Sequence, residues 1–156
     1  MQKKHIWIPV AAAFLLLPLA SVKTDATAAP AAQFAQTVAV SAADEIHRQL
    51  NAFRAQNGLT ALVRDTMLDR AASVRAAEIA QKFSHTRPDG SHWSTVSDRA
   101  FGENIARGHR TADKTMAAWM TSAGHRATML RRSYGSVGIA AVKINGVMHW
   151  VQLFGK

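Results

Sequence analysis

The dipeptide Asn145-Gly146 stands between two β-rich runs near the C-terminal end of the sequence. A two-residue loop of this composition predicts a type I′ hairpin, because both residues tolerate the positive φ that such a turn requires. The turn sets the register: Ile144 opposite Val147, Val142 opposite His149, Ala140 opposite Val151 and Gly138 opposite Leu153. The other face carries Val137, Ile139, Ala141, Trp150 and Phe154, so both faces are mainly apolar. A sheet apolar on both sides must be covered on both sides. The chain is therefore expected to be an α/β protein, a three-layer α–β–α sandwich around a central, mainly antiparallel sheet. Its 156 residues suit one domain, since single cores stop growing only beyond ~250 residues.

The opposite end of the chain reads differently. Met1-Gln2-Lys3-Lys4-His5 is a basic start, followed by an apolar run from Ile6 to Ala20. That run is shorter than the ~20 residues a membrane span needs, and Pro9 and Pro18 interrupt it. Ala26-Thr27-Ala28 then offers the small residues a signal peptidase reads, so residues 1–28 are expected to be a secretory signal peptide cleaved after Ala28. The mature chain is expected to be exported, periplasmic or extracellular, with no transmembrane span. Residues 29–43, rich in Ala, Gln, Thr and Pro, read as a linker, and 44–156 as the folded domain.

Cysteine is absent, which excludes a disulfide framework, a thiolate zinc site and a cysteine nucleophile. The formal charge of +9 falls to +7 once Lys3, Lys4, Lys23 and Asp25 leave with residues 1–28, and a basic exported protein is attracted to anionic envelope polymers or head groups. The basic residues are nevertheless scattered, with Arg131-Arg132 the longest run after the signal segment, and export argues against a nucleic-acid partner.

Helical periodicity divides the rest. Ser41 with Asp44 resembles a capping box for a first helix with Ile46, Leu50 and Phe53 on one face, ended by Asn57-Gly58. Asp65 or Thr66 opens a second helix to about Gln81, its apolar stripe comprising Met67, Ala71, Val74, Leu68, Ala72 and Ile79. Residues 83–110 lose that periodicity and read as a long loop with a short strand near Ile105; so long a loop in a compact domain points to function. Thr111 opens a third helix bearing Met116 and Trp119, and Ser122 a short fourth.

Four stretches carry the chemistry: His85-Thr86-Arg87-Pro88-Asp89-Gly90, Gly102-Glu103-Asn104-Ile105-Ala106, Trp119 through His125-Arg126, and His149 through Gly155. In this order and spacing the chain resembles the CAP superfamily (cysteine-rich secretory proteins, antigen 5, plant pathogenesis-related proteins), in the bacterial, cysteine-free branch with its SCP domain. The resemblance implies an α–β–α sandwich and a cleft of two His and two acidic residues, often able to hold a divalent metal. The first His corresponds to His85, the first Glu to Glu103 and the second His to His125. Ser122 stands where a second Glu often lies.

Two imidazoles and one carboxylate could hold zinc with an open fourth position, so His85, Glu103 and His125 are candidate metal ligands. The alternative is a metal-free network in which Glu103 accepts hydrogen bonds from both histidines. Arg87 either pairs with Asp89 or lines the cleft, and Asn104 is expected to steady Glu103 through backbone hydrogen bonds. Trp119 and His149 read as core residues, and His92 and His109 as solvated loop histidines. No Ser–His–Asp order or Gly-x-Ser-x-Gly elbow supports a serine hydrolase, and the catalytic residues are left unassigned. The expected function is a monomeric, non-enzymatic module binding a lipid, an envelope polymer or another protein. A metal-assisted hydrolase using His85, Glu103 and His125 is the alternative.

Overall fold

In a computed structural model the described residues are 30–156; the expected signal peptide, 1–28, lies outside them. The elements in chain order are α1 (Pro30–Gln56), β1 (Val63–Arg64), α2 (Thr66–Gln81), a 3-10 turn (Trp93–Val96), β2 (Gly102–Arg107), α3 (Ala112–Thr121), α4 (Ala123–Met129), β3 (Ser136–Ile144) and β4 (Val147–Gly155). The strand order is β1-β3-β4-β2. The hairpin thus forms the middle of the sheet. Its register matches the expectation pair for pair, from Ile144 opposite Val147 to Gly138 opposite Leu153. Asn145 (φ 49°) and Gly146 (φ 79°) both adopt the left-handed backbone that a type I′ turn requires.

Each face of the sheet has its own core. On one, Ile46 and Leu50 of α1, Met116 and Trp119 of α3 and Met129 of α4 pack on Val137, Ile139, Trp150 and Phe154. On the other, Leu68, Ala72, Ala76 and Ile79 of α2 pack on Ile105, Ala140, Val151 and Leu153. The result is the three-layer sandwich, antiparallel except where β1 runs parallel to β3. The second helix lies very close to the sheet. A Cβ added at Gly138 would fall 2.1 Å from the backbone carbon of Leu68, so only glycine admits this approach.

Three local readings need correction. The first helix begins at Pro30 rather than at Ser41, so the 29–43 stretch is helical from Pro30 on instead of a linker. Proline is favoured at a first helical position, and the alanine-rich run that follows has no internal Gly or Pro. Asp44 consequently lies inside the helix, where it pairs with Arg64 at 3.2 Å. On α2, Met67 and Val74 are 52% and 48% exposed, and the buried stripe is Leu68, Ala71, Ala72, Arg75, Ala76 and Ile79. The third correction adds a strand, since β1 has only two residues and shows no periodicity. The caps at Gly58, Asp65 and Thr111 form as expected, whereas the Ser122 side chain makes no capping bond to α4. Gly58 (φ 68°) closes α1, Asp65 Oδ1 accepts from the backbone N–H groups of Met67 and Leu68, and Thr111 caps α3.

Candidate functional site

The site is built on β2, which pairs with β4 on one side and forms an outer edge of the sheet. Successive strand residues face opposite sides, so the adjacent Glu103 and Asn104 enter different layers. Glu103 turns toward α2, and both its carboxylate oxygens are engaged there. Arg75 donates from Nε to Oε1 at 2.7 Å, and His85 Nδ1 lies 2.6 Å from Oε2. The side chains of Arg75 and Glu103 are fully buried, whereas that of His85 is 55% exposed. Glu103 thus holds the inner nitrogen of an imidazole whose other side meets solvent.

Behind this pair the ionic chain continues. Arg75 also donates to Glu78 at 2.6 Å and to the Ser84 carbonyl at 2.9 Å. Glu78 in turn accepts from Arg87 Nη2 at 2.6 Å. Burial pushes the Glu78 carboxyl upward, but Arg87 and Arg75 outweigh it and hold the group below its ordinary value. Burial pulls the Arg75 guanidinium downward, but its partners Glu103 and Glu78 outweigh that and keep it firmly protonated. Arg87 therefore pairs with Glu78 rather than with Asp89 and anchors the far end of the chain. Asp89 instead accepts from Ser91.

Asn104 enters the opposite layer. Its Nδ2 donates to the backbone carbonyl of His125 at 3.2 Å and to Gln152 Oε1 at 3.0 Å. It steadies His125 rather than Glu103, correcting the expectation. Trp119 helps from α3: its indole N–H donates to the Ile105 carbonyl on the outer edge of β2 at 3.3 Å. Its ring also lies 6.4 Å from that of His125, tilted by 54°. Burial pushes the His125 imidazole below its ordinary pKa, and the nearby His85 adds to the effect. His125 is accordingly neutral at pH 7. Ser122 occupies the N-cap position of α4, where its backbone carbonyl accepts from Arg126 N–H and its side chain makes no capping bond.

The structure therefore joins His85 to Glu103 directly and brings His125 to the same strand from the other face. It does not assemble the expected three-ligand metal site. Among the described residues no group of three or more His, Asp or Glu is arranged to hold an ion, and Glu103 is already committed to Arg75 and His85. The remaining metal donors are two imidazoles. His149 is buried as expected and bonds Val147 through Nδ1, but its Nε2 has no partner. His92 is exposed and lies against Ser94, while His109 contributes only its carbonyl, to Trp150. A separate cavity of about 520 Å³ is lined by Val63, Arg64, Asp65, Arg99 and Lys156 among others, and holds none of the predicted site residues.

Sequence reasoning missed Arg75 and Gln152. Arg75 was detectable, because it falls on the same helical face as Leu68, Ala72 and Ile79. A charged residue on a buried stripe requires a partner.

Residues 47–154, spanning all of this geometry, match the cysteine-rich secretory protein family, CAP. The chain belongs to the CAP family. Over 112 residues the CAP domain is 32% identical to the uncharacterized protein YkwD of Bacillus subtilis (strain 168), an alignment covering 67% of this chain and 43% of YkwD. Its fold is similar to an extracellular SCP-domain protein from Bacillus anthracis str. Ames, with TM-score 0.72, 20% identity, and 80% of this chain and 43% of that one covered. It is also similar to an outer surface protein from Borrelia burgdorferi, with TM-score 0.63, 20% identity, and 71% and 89% covered. The chain thus spans less than half the length of YkwD and of the B. anthracis protein.

Proposed function

We propose that this CAP domain is an exported, non-enzymatic and monomeric binding module whose ligand, a lipid, an envelope polymer or a protein, is taken at the outer edge of β2 between His85 and His125. The observation that carries the reading is the half-exposed His85 ring held by a wholly buried Glu103–Arg75 pair. Such a polar group is preorganised for binding, since its partners need not move when a ligand arrives. A hydrolase that used a carboxylate as its general base would need one free to take a proton. Glu103 and Glu78 are both bound by arginine, which favours binding over catalysis.

Export is supported by the N-terminal signal pattern and by the extracellular and outer-surface descriptions of the two structural relatives. No helix among the described residues is long and apolar enough to cross a membrane. Intact-mass measurement of exported protein, expected to begin at Ala29, tests that part.

A second reading, zinc held by His85 and His125, is favoured by the Glu103–His85 bond. Carboxylates orient metal-bound histidines in this way, standing behind the imidazole rather than ligating. Bound zinc would supply a Lewis acid at the same edge.

Both readings are separated by following the His85 and His125 ring resonances. Titration with phospholipid vesicles, sterol, envelope-polymer fragments and zinc is expected to perturb both rings with an organic ligand. A panel that shifts neither ring would overturn the site. Zinc alone acting, tighter than about millimolar, would replace the first reading with the second.

A further inference from the structure

A second surface stands beside this site at the corner where the C-terminal end of α1 meets α4 and the turn after it. No Asp or Glu occurs between Glu45 and Asp65, or after Asp113, in the sequence. Every segment that builds the corner is therefore free of acid. Arg126, Arg131 and Arg132 are exposed there, and none has a carboxylate partner among the described residues. Asp113, the acidic residue of α3, is engaged by Gln49 about two turns before the end of α1.

Two features make the corner more than a solvated charge cluster. Arg126 lies over the Phe53 ring and Arg131 over the Tyr134 ring, each 5.6 Å from the centroid. A guanidinium held over a ring is steadied by the ring's electrons rather than by a carboxylate, so its charge stays unneutralised. Beneath them, Arg54 is 1% exposed and donates only to the carbonyls of Thr60, Met129 and Arg131. Among the described residues its charge has no anionic counterpart, so the corner carries a net positive field.

We propose that this corner binds a linear phosphodiester polymer of the glycerol-phosphate type through Arg126, Arg131 and Arg132. All three cations are arginines, whose planar fork matches phosphate oxygens. The polymer is favoured over a membrane surface because the exposed large apolar residues, Val63, Met67, Val74, Phe83 and Phe101, lie on other elements. A charged face without an apolar anchor suits a soluble polyanion. The proposal needs neither His85 nor His125.

A labelled glycerol-phosphate oligomer, titrated into the full chain at several salt concentrations by fluorescence anisotropy, tests it. Arg126→Gln, Arg131→Gln and Arg132→Gln combined should weaken binding about tenfold at low salt and flatten the salt dependence. A control of equal charge, Arg70→Gln, Lys82→Gln and Lys114→Gln, should change affinity by no more than about twofold, and His85→Gln should leave it unchanged. An equal loss in the charge-matched control would show that net charge rather than the corner acts, and overturn the proposal. So would wild-type binding to phosphatidylglycerol vesicles without binding to the oligomer. Loss with His85→Gln would place the polymer in the β2-edge site instead.

Discussion

Glu103 and Asn104 are neighbours on one strand, yet the polar systems they enter differ in kind. On the α2 side, His85 is held by a carboxylate inside an ionic chain, Arg87–Glu78–Arg75–Glu103. On the α4 side, His125 is held through its backbone by a neutral amide pair, Asn104 and Gln152. The first arrangement fixes one ring nitrogen of His85. The second fixes where His125 sits and, among the described residues, leaves both of its ring nitrogens uncommitted. Ionic anchoring selects an orientation, whereas amide anchoring selects a position.

The sharpest way to break this contrast is to remove charge from the α2 side. Glu103→Gln leaves the buried Arg75 with Glu78 as its remaining carboxylate, and is expected to cost about 3–5 kcal/mol in urea unfolding. Replacing both partners, Arg75→Met with Glu103→Met, should recover part of that loss, since apolar side chains carry no desolvation penalty. Equal losses in the single and double variants would mean that shape rather than charge holds the pair.

On the amide side, Asn104→Ala removes the donor to two acceptors and should cost about 1–3 kcal/mol. The His85 ring resonance should stay in place while that of His125 moves. A shift of both rings would join the two systems and dissolve the comparison.

The pH response is a further, smaller discriminator. His125 and His149 both titrate below the ordinary imidazole value, mainly through burial. The unfolded chain therefore takes up these protons first, near pH ~6.5, and stability falls as pH drops below that value toward the folded pKa. Thermal midpoints should be flat above pH 7 and decline below it. His125→Gln and His149→Gln should each remove part of the slope. The smallest effect belongs to the outer end of the ionic chain, where Arg87→Gln should cost about 1 kcal/mol or less.

Much of this fold was legible because its strongest local signals lie at its centre. Asn145-Gly146 set a register that needed no other information, and two apolar faces demanded two helical layers. The α1 start was misread because Ser41 and Asp44 imitate a cap, while Pro30 gives the same signal earlier in the chain. The strand β1 was invisible because two residues carry no period. At the site, Glu103 and His85 were found through their motifs. Arg75 and Glu78, which lie outside those motifs on α2, were not. Asn104 was named but given the wrong partner, because alternation along β2 assigns it a face and not a contact.

The position of β3 and β4 in the sequence has a consequence for how the chain acquires its shape. α1, α2 and β2 all precede residues 136–155 and all depend on them for the surface they cover. Pairings such as Val63 with Ser136 join segments more than half the domain apart, and contacts of that range make folding slow. A chain emerging from its N-terminal side has no sheet on which to order its helices until those strands appear. The hairpin is therefore the last part needed before the two cores can close, and the domain folds as a unit only once it is present.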